Sequence, residues 1–299
     1  MLKTMADVIL AAKAAGRKKV AVAAAQEASV LEAVVDAWKN GIAEPVLVGD
    51  LGAADAIAAE LGLDLRRFER HEAKDNAAAA AKAVELARTG AADMVMKGIL
   101  DTSVMLKAVL NKEAGLNAGR LVTHVVAIEM PTYHKLLFVT DAAISIAPDV
   151  NAKIDIIANA VRAARSLGVQ TPKVALLAAV EKVNWEKMPC TVDAAILTQM
   201  NRRGQIKDCI VDGPLAFDNA ISAESAKIKH IVSEVAGDAD ILVAPDIEAG
   251  NILYKALIDL GRGKGAAIVM GAAKPIILTS RSDSAETKLA SIALAALAS

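Results

Sequence analysis

Apolar residues recur along this chain at helical and at strand spacing in turn. Met5, Val8, Ile9 and Ala12 fall three and four residues apart and predict a helix that Gly16 ends. The apolar run at 19–25 then predicts a buried strand. Helical spacing at 27–40 precedes an apolar run at 45–48, and helical spacing at 74–88 precedes another at 94–96. The pattern continues with a helix at 101–112, strands at 121–128 and 135–140, and a helix at 151–167. Strands are predicted near 173–178, 207–211, 240–244, 266–270 and 275–279, most of them separated by helices. Such alternation indicates crossover units and an α/β fold with mainly parallel sheets. Two successive strands before Thr140 interrupt it, which puts the expected domain boundary near 140–149. With the last strand and helix returning to the first domain, the expected division is 1–140 plus 274–299, and 141–273.

Composition narrows the picture. The chain's 299 residues exceed the ~100 to 200 of a usual single domain, so two domains or one large α/β unit are expected. Hydrophobic residues make up 55% and aromatics 2%, so the core is built from Ala, Val, Ile and Leu, as buried parallel strands require. Lys plus Arg total 34 against 35 for Asp plus Glu. No overall field attracts nucleic acid, and no basic stripe with interleaved aromatics offers base stacking. Cys190 and Cys209 follow no metal-ligand spacing and suit a reducing compartment. Cys190, in Met188-Pro189-Cys190-Thr191, reads as a small buried residue ahead of a catalytic thiol. Charges interrupt the first apolar stretch at Lys3, Asp7 and Lys13. No uncharged run reaches the ~18 residues of a membrane-spanning helix, so a cytoplasmic protein with no membrane partner is expected.

In open parallel sheets, ligands bind beyond the carboxyl ends of strands, where following helices present unpaired N–H groups. Four predicted strand exits carry polar groups: Lys97-Gly98, Asp212-Gly213-Pro214, Pro245-Asp246 and Thr279-Ser280-Arg281. Alone, Lys97 reads equally as a solvated loop charge and as a ligand for an anion, and Asp212-Gly213-Pro214 reads as an ordinary turn. Asp246 suits the cap of a helix, yet Gly250 and Asn251 in its first turns weaken that helix; close approach by a ligand would explain them. Gly261-Arg262-Gly263-Lys264-Gly265 lacks P-loop spacing and reads as a solvated turn after a helix. His124 and His134 lack partners at metal-binding spacing and read as buried, hydrogen-bonded histidines. Asp283 and Glu286 have the spacing of a capping box. Arg281 does not fit that reading, because a cation before a helix N-terminus opposes the dipole unless an anion lies between them.

The segments Val211 to Ala220, Pro245 to Lys255, Lys274-Pro275 and Thr279 to Lys288, with Lys97-Gly98 and Leu136 to Ala143, resemble the phosphate acetyl/butyryltransferase family. The resemblance implies two three-layer α/β domains with mainly parallel sheets and an interdomain cleft. It implies reversible transfer of a short acyl group, butyryl favoured, between CoA and orthophosphate, with acetyl or propionyl preference as the alternative within the family. A metal-dependent decarboxylating dehydrogenase of similar architecture is the alternative from another class; it should bring an aspartate cluster that is not found. CoA and phosphate enter as substrates, with no cofactor and no metal. A homo-oligomer, at least a dimer, is implied as well. The family's Ser-Arg pair falls on Ser280 and Arg281, as hydrogen-bond donor and electrostatic clamp. Related acetyltransferases continue with Gly-Cys and place a catalytic aspartate six residues beyond the arginine, where this chain has Ser282, Asp283 and Thr287. Asp283 or Glu286 is therefore the substitute base, and Lys97, Gly98, Asp246, Asn251 and Lys255 are the expected substrate-binding residues.

Overall fold

The computed structural model describes residues 1–280 and 282–299, and the chain is a mixed α/β protein with mainly parallel pairing. Its strands are β1 (Lys18–Ala23), β2 (Ala43–Gly49), β3 (Glu69–Glu72), β4 (Met94–Lys97), β5 (Thr123–Glu129), β6 (Leu137–Thr140), β7 (Lys173–Leu177), β8 (Ile210–Leu215), β9 (Ile241–Val243), β10 (Lys264–Met270) and β11 (Ile276–Ile277). Two compact units result. The first holds Met5–Arg120 with Ala266–Ser299, and the second holds Met1–Thr4 with Leu121–Gly265. The units change over at 120/121 and 265/266, while sequence periodicity places the divisions at 140/141 and 273/274.

In the first unit the strand order is β3-β2-β1-β4-β11-β10, parallel except for the β11–β10 pair. The apolar residues of β1, β2 and β4 are Ala, Val, Leu, Met and Pro and are buried, as expected of strands covered on both faces. The helix Ala285–Ala298 packs against helices Met5–Ala15 and Ala28–Lys39. Its run of Ala290, Ile292, Ala293, Leu294 and Ala295 is buried nearly all round, and small side chains allow that close approach. Periodicity does not predict β3, because Glu69-Arg70-His71-Glu72 has no apolar alternation; it pairs with β2 as a charged strand at the end of the order.

In the second unit the order is β5-β6-β9-β7-β8, antiparallel only between β5 and β6. Helix Val150–Ser166 packs against β5, β6 and β9. β8 corrects the sequence reading, since Asp212-Gly213-Pro214 lies inside the strand and not at its exit. The reason is positional. β8 ends the strand order, where a proline's missing N–H costs no ladder bond. A Cβ on Gly213 would lie 2.7 Å from the Leu176 side chain, so that position requires glycine by packing against β7. No helix among the described residues is long and apolar enough to cross a membrane.

Candidate active site

In the first unit, the exits of β1, β4 and β11 are neighbours because these strands pair in parallel. Lys97 is not a solvated loop charge. It is 5% exposed, and its Nζ donates to the carbonyls of Gly98 and Leu100, each at 3.2 Å. Gly98 is fixed by close approach of backbone: a Cβ there would strike the carbonyl oxygen of Ala24. The amides of Gly98 and Ile99 donate to the carbonyls of Ala23 and Ala24 at 2.8 and 2.9 Å, which binds the β4 exit to the β1 exit.

At the β11 exit the backbone folds into a turn. Ser280 N–H donates to Asp283 Oδ2 at 2.8 Å, and Asp283 N–H donates to the Ser280 carbonyl at 3.2 Å. The Ser280 and Ser282 hydroxyls lie 3.0 Å apart, and both residues are exposed. Arg281 lies outside the described residues. The expected capping box does not form. Ser284 is the N-cap and accepts from Thr287 N–H at 3.2 Å, while Asp283 precedes the cap and closes the turn. A hydroxyl with the correct extended backbone won the capping position, and Glu286 stands exposed in the first helical turn. Sequence reasoning missed Lys288. It is 1% exposed, and its Nζ donates to the carbonyls of Ser280 and Asp283 at 3.3 and 2.6 Å. Its Nζ also lies 3.6 Å from Glu27 Oε1.

In the second unit, Asp246 caps helix Ile247–Lys255 as expected, accepting from Ala249 N–H at 2.9 Å. Gly250 and Asn251 also answer to packing within the protein. A Cβ on Gly250 would strike the carbonyl oxygen of Asp141, and Asn251 Nδ2 donates to the Ala142 carbonyl at 2.9 Å. Backbone makes a close approach at both positions. Asp141, 3% exposed, accepts from the amides of Ala143, Ile144 and Ser145 and from the Ser145 hydroxyl, at 2.9 to 3.2 Å. Lys255 Nζ sits 5.1 Å from the centroid of the Tyr254 ring.

An open pocket of about 450 Å³ lies at the β7 and β9 exits, bordered by Pro148, Lys153, Met188, Cys190 and Asp246. Lys153 is buried and forms an ion pair with Asp193 at 2.7 Å. Cys190 begins helix Cys190–Arg202 and is half-buried. Burial first, and Asp208 second, push the Cys209 thiol up to about 11, which disfavours the thiolate a nucleophile needs. His124 is buried with its ring edge-on to Tyr254 at 6.0 Å. His134 departs from expectation: it is exposed and pairs with Asp238 at 3.0 Å. Both glycines that flank Arg262 are packing requirements, since a Cβ on Gly261 or Gly263 would meet Met130 at 2.8 Å.

Comparisons with known proteins follow the same lines. The family model described as phosphate acetyl/butaryl transferase matches residues 4–81 and 69–296. A phosphate butyryltransferase of Clostridium acetobutylicum is 50% identical over 297 residues, 99% of this chain and 98% of that protein. A phosphate acetyltransferase of Thermotoga maritima is 46% identical over 280 residues, 94% of this chain and 95% of that protein. The crystal structure of a branched-chain phosphotransacylase from Enterococcus faecalis superposes with a TM-score of 0.82 at 35% identity, covering 94% of this chain and 98% of that one.

Proposed function

The chain belongs to the phosphate acetyl/butyryl transferase family, and on that premise we propose that it transfers a short acyl group, butyryl favoured, reversibly between CoA and orthophosphate. The observation that carries this reading is the 50% identity to a butyryl-transferring relative along nearly the whole chain. The acetyl- or propionyl-preferring alternative rests on the acetyltransferase likeness. These relatives do not favour a decarboxylating dehydrogenase.

The chemistry asks for three services. A phosphate oxygen attacks the thioester carbonyl carbon, the C–S bond breaks, and the CoA sulfur leaves with the electron pair as thiolate. In reverse, the thiol loses its proton and attacks the acyl phosphate carbonyl, expelling phosphate. The developing oxyanion needs a donor and a cation, and the sulfur needs a group that holds its proton. We assign the donor to Ser280 and the clamp to Arg281, whose fork suits two phosphate oxygens. Asp283 or Glu286 handles the thiol proton; Asp283 already spends one oxygen on the Ser280 amide, which leaves Oδ1 for that task. We assign Lys97 and Gly98, at the neighbouring exit of β4, to phosphate and CoA binding. In the second unit we assign Asp246, Asn251 and Lys255 to substrate binding, and the pocket that Asp246 borders is of a size to take the thioester-bearing arm of acyl-CoA. The reading needs no metal and no resident cofactor, and it places the protein in the cytoplasm as a homo-oligomer of at least two subunits. The two domains of this reading exchange chain twice, so the last strand and helix belong with the first.

The decisive measurement is CoA release from butyryl-CoA with and without phosphate. Strictly phosphate-dependent release is expected; release that ignores phosphate, or none, sinks the reading. Acetyl-, propionyl- and isobutyryl-CoA run in parallel rank the acyl pocket, where each methylene contributes about 1 to 3 kcal/mol of discrimination.

A further inference from the structure

The turn closed by Ser280 and Asp283 has two chemically different faces. Outward it shows the Ser280 and Ser282 hydroxyls, side by side at 3.0 Å. Inward, the carbonyls of Ser280 and Asp283 converge on one atom, Lys288 Nζ, at 3.3 and 2.6 Å. This lysine sits on the first turn of helix Ala285–Ala298 and is 1% exposed, in a helix whose other buried residues are Ala, Ile, Leu and Ser291. Its nearest carboxylate, Glu27 at 3.6 Å, precedes helix Ala28–Lys39 and is also bonded by the Ser29 hydroxyl at 2.8 Å. The ammonium thus ties the turn to the β1 exit as well as to its own helix.

Burying an ammonium is costly unless hydrogen bonds and opposite charge compensate it, and a methionine would fill the same space without that cost. What the ammonium adds is direction. A carbonyl that accepts from a charged donor is held more strongly than one left to water, so the turn cannot rotate its carbonyls outward to face an incoming anion. We propose that Lys288 is a positioning residue for phosphate: by holding the Ser280 and Asp283 carbonyls inward, it keeps the Ser280 and Ser282 hydroxyls turned toward the anion. This rests on the acyltransferase reading above and goes beyond it, because Lys288 touches no reacting atom. Its positive charge, poorly screened at this depth, adds to the anion's attraction.

The experiment compares wild type with Lys288→Met and Lys288→Gln in two readouts. Calorimetry of inorganic phosphate binding to the resting protein needs no turnover, and steady-state kinetics separate the KM of phosphate from that of butyryl-CoA. Loss of a charged hydrogen-bond donor should weaken phosphate binding and raise phosphate KM in Lys288→Met by about 10- to 100-fold. The KM of butyryl-CoA should stay within about twofold, and Lys288→Gln, which keeps an amide donor, should fall between Met and wild type. Unchanged phosphate binding in the Met variant overturns the proposal, as does an equal rise of both KM values. Failure of both variants to fold also overturns it, because the lysine would then be purely structural. A wild type that binds phosphate yet releases no CoA would count against the acyltransferase reading and leave the binding comparison to decide the role of Lys288.

Discussion

The β4 and β11 exits of the first unit and the β6 exit of the second bury opposite charges. In the first, the buried charges at the exits are ammonium groups, Lys97 and Lys288, each solvated by loop carbonyls. In the second, the β6 exit buries the Asp141 carboxylate, solvated by three loop amides and a hydroxyl, while Lys153 beside the pocket is neutralised by its ion pair with Asp193. Each arrangement rigidifies a loop with backbone dipoles of the fitting sign, so both are equally good scaffolds. They differ in what they attract. A buried ammonium favours an anion, whereas a buried carboxylate repels one, and on the proposed function that contrast would assign the phosphate to the first unit and the uncharged arm of the thioester to the second.

The largest test of that division is Arg281→Ala. Removing one charge-stabilising donor should lower kcat by about 10²- to 10³-fold with the thermal midpoint unmoved, as measured by steady-state assay and calorimetric melting. A near-normal rate would place the anion elsewhere. Next come the two exit glycines. Gly98→Ala and Gly250→Ala each drive a Cβ into a backbone carbonyl, of Ala24 and Asp141 respectively, and should each cost about 1 to 3 kcal/mol in denaturant unfolding. If the division holds, Gly98→Ala raises phosphate KM and Gly250→Ala raises acyl-CoA KM; the reverse pattern would exchange the roles of the units. Smaller still are the caps. Ser284→Ala and Asp246→Ala should each lose about 1 kcal/mol of stability, and Asp283→Ala should lose rate rather than a cap if its carboxylate orders the turn.

The smallest effect lies at the opposite ends of the second unit's strands and tests whether its charges are only structural there. Burial alone would raise the Asp238 carboxyl, but the hydrogen bonds and charges of Lys173 and Lys135 outweigh it and hold the group at about 2, below its ordinary value of 3.8. A depressed carboxyl contributes stability above its unfolded value and loses it as pH falls through the folded one. Melting midpoints should therefore fall between about pH 4 and pH 2 more steeply in wild type than in Asp238→Asn. Parallel curves would remove Asp238 from the account.

The alternation of elements was legible because buried strands of Val, Ala, Leu and Met contrast with the helices between them, as at 19–25, 94–96 and 266–270. β3 and β8 were not, or were read short, because edge strands need no apolar alternation and tolerate Pro214. At the site, the polar exits of β4, β9 and β11 were visible as abrupt changes from apolar to polar residues. Which hydroxyl or carboxylate would cap the last helix was not, since Ser282, Asp283 and Ser284 compete within one turn and only the backbone angles decide. Lys288 left no local signal. A lysine in a helix reads as solvated, and its burial depends on Glu27, 261 positions away along the chain, meeting it in space.

The edges left by β3 and β8 carry a consequence for assembly. One is a run of four charged or titratable side chains, Glu69-Arg70-His71-Glu72, and the other contains Asp212 and a proline that offers no N–H to a further strand. Both sequences refuse an additional strand. Copies of this chain that associate must therefore meet through helices and loops, and a concentrated solution is spared the open-ended stacking that an unguarded edge invites.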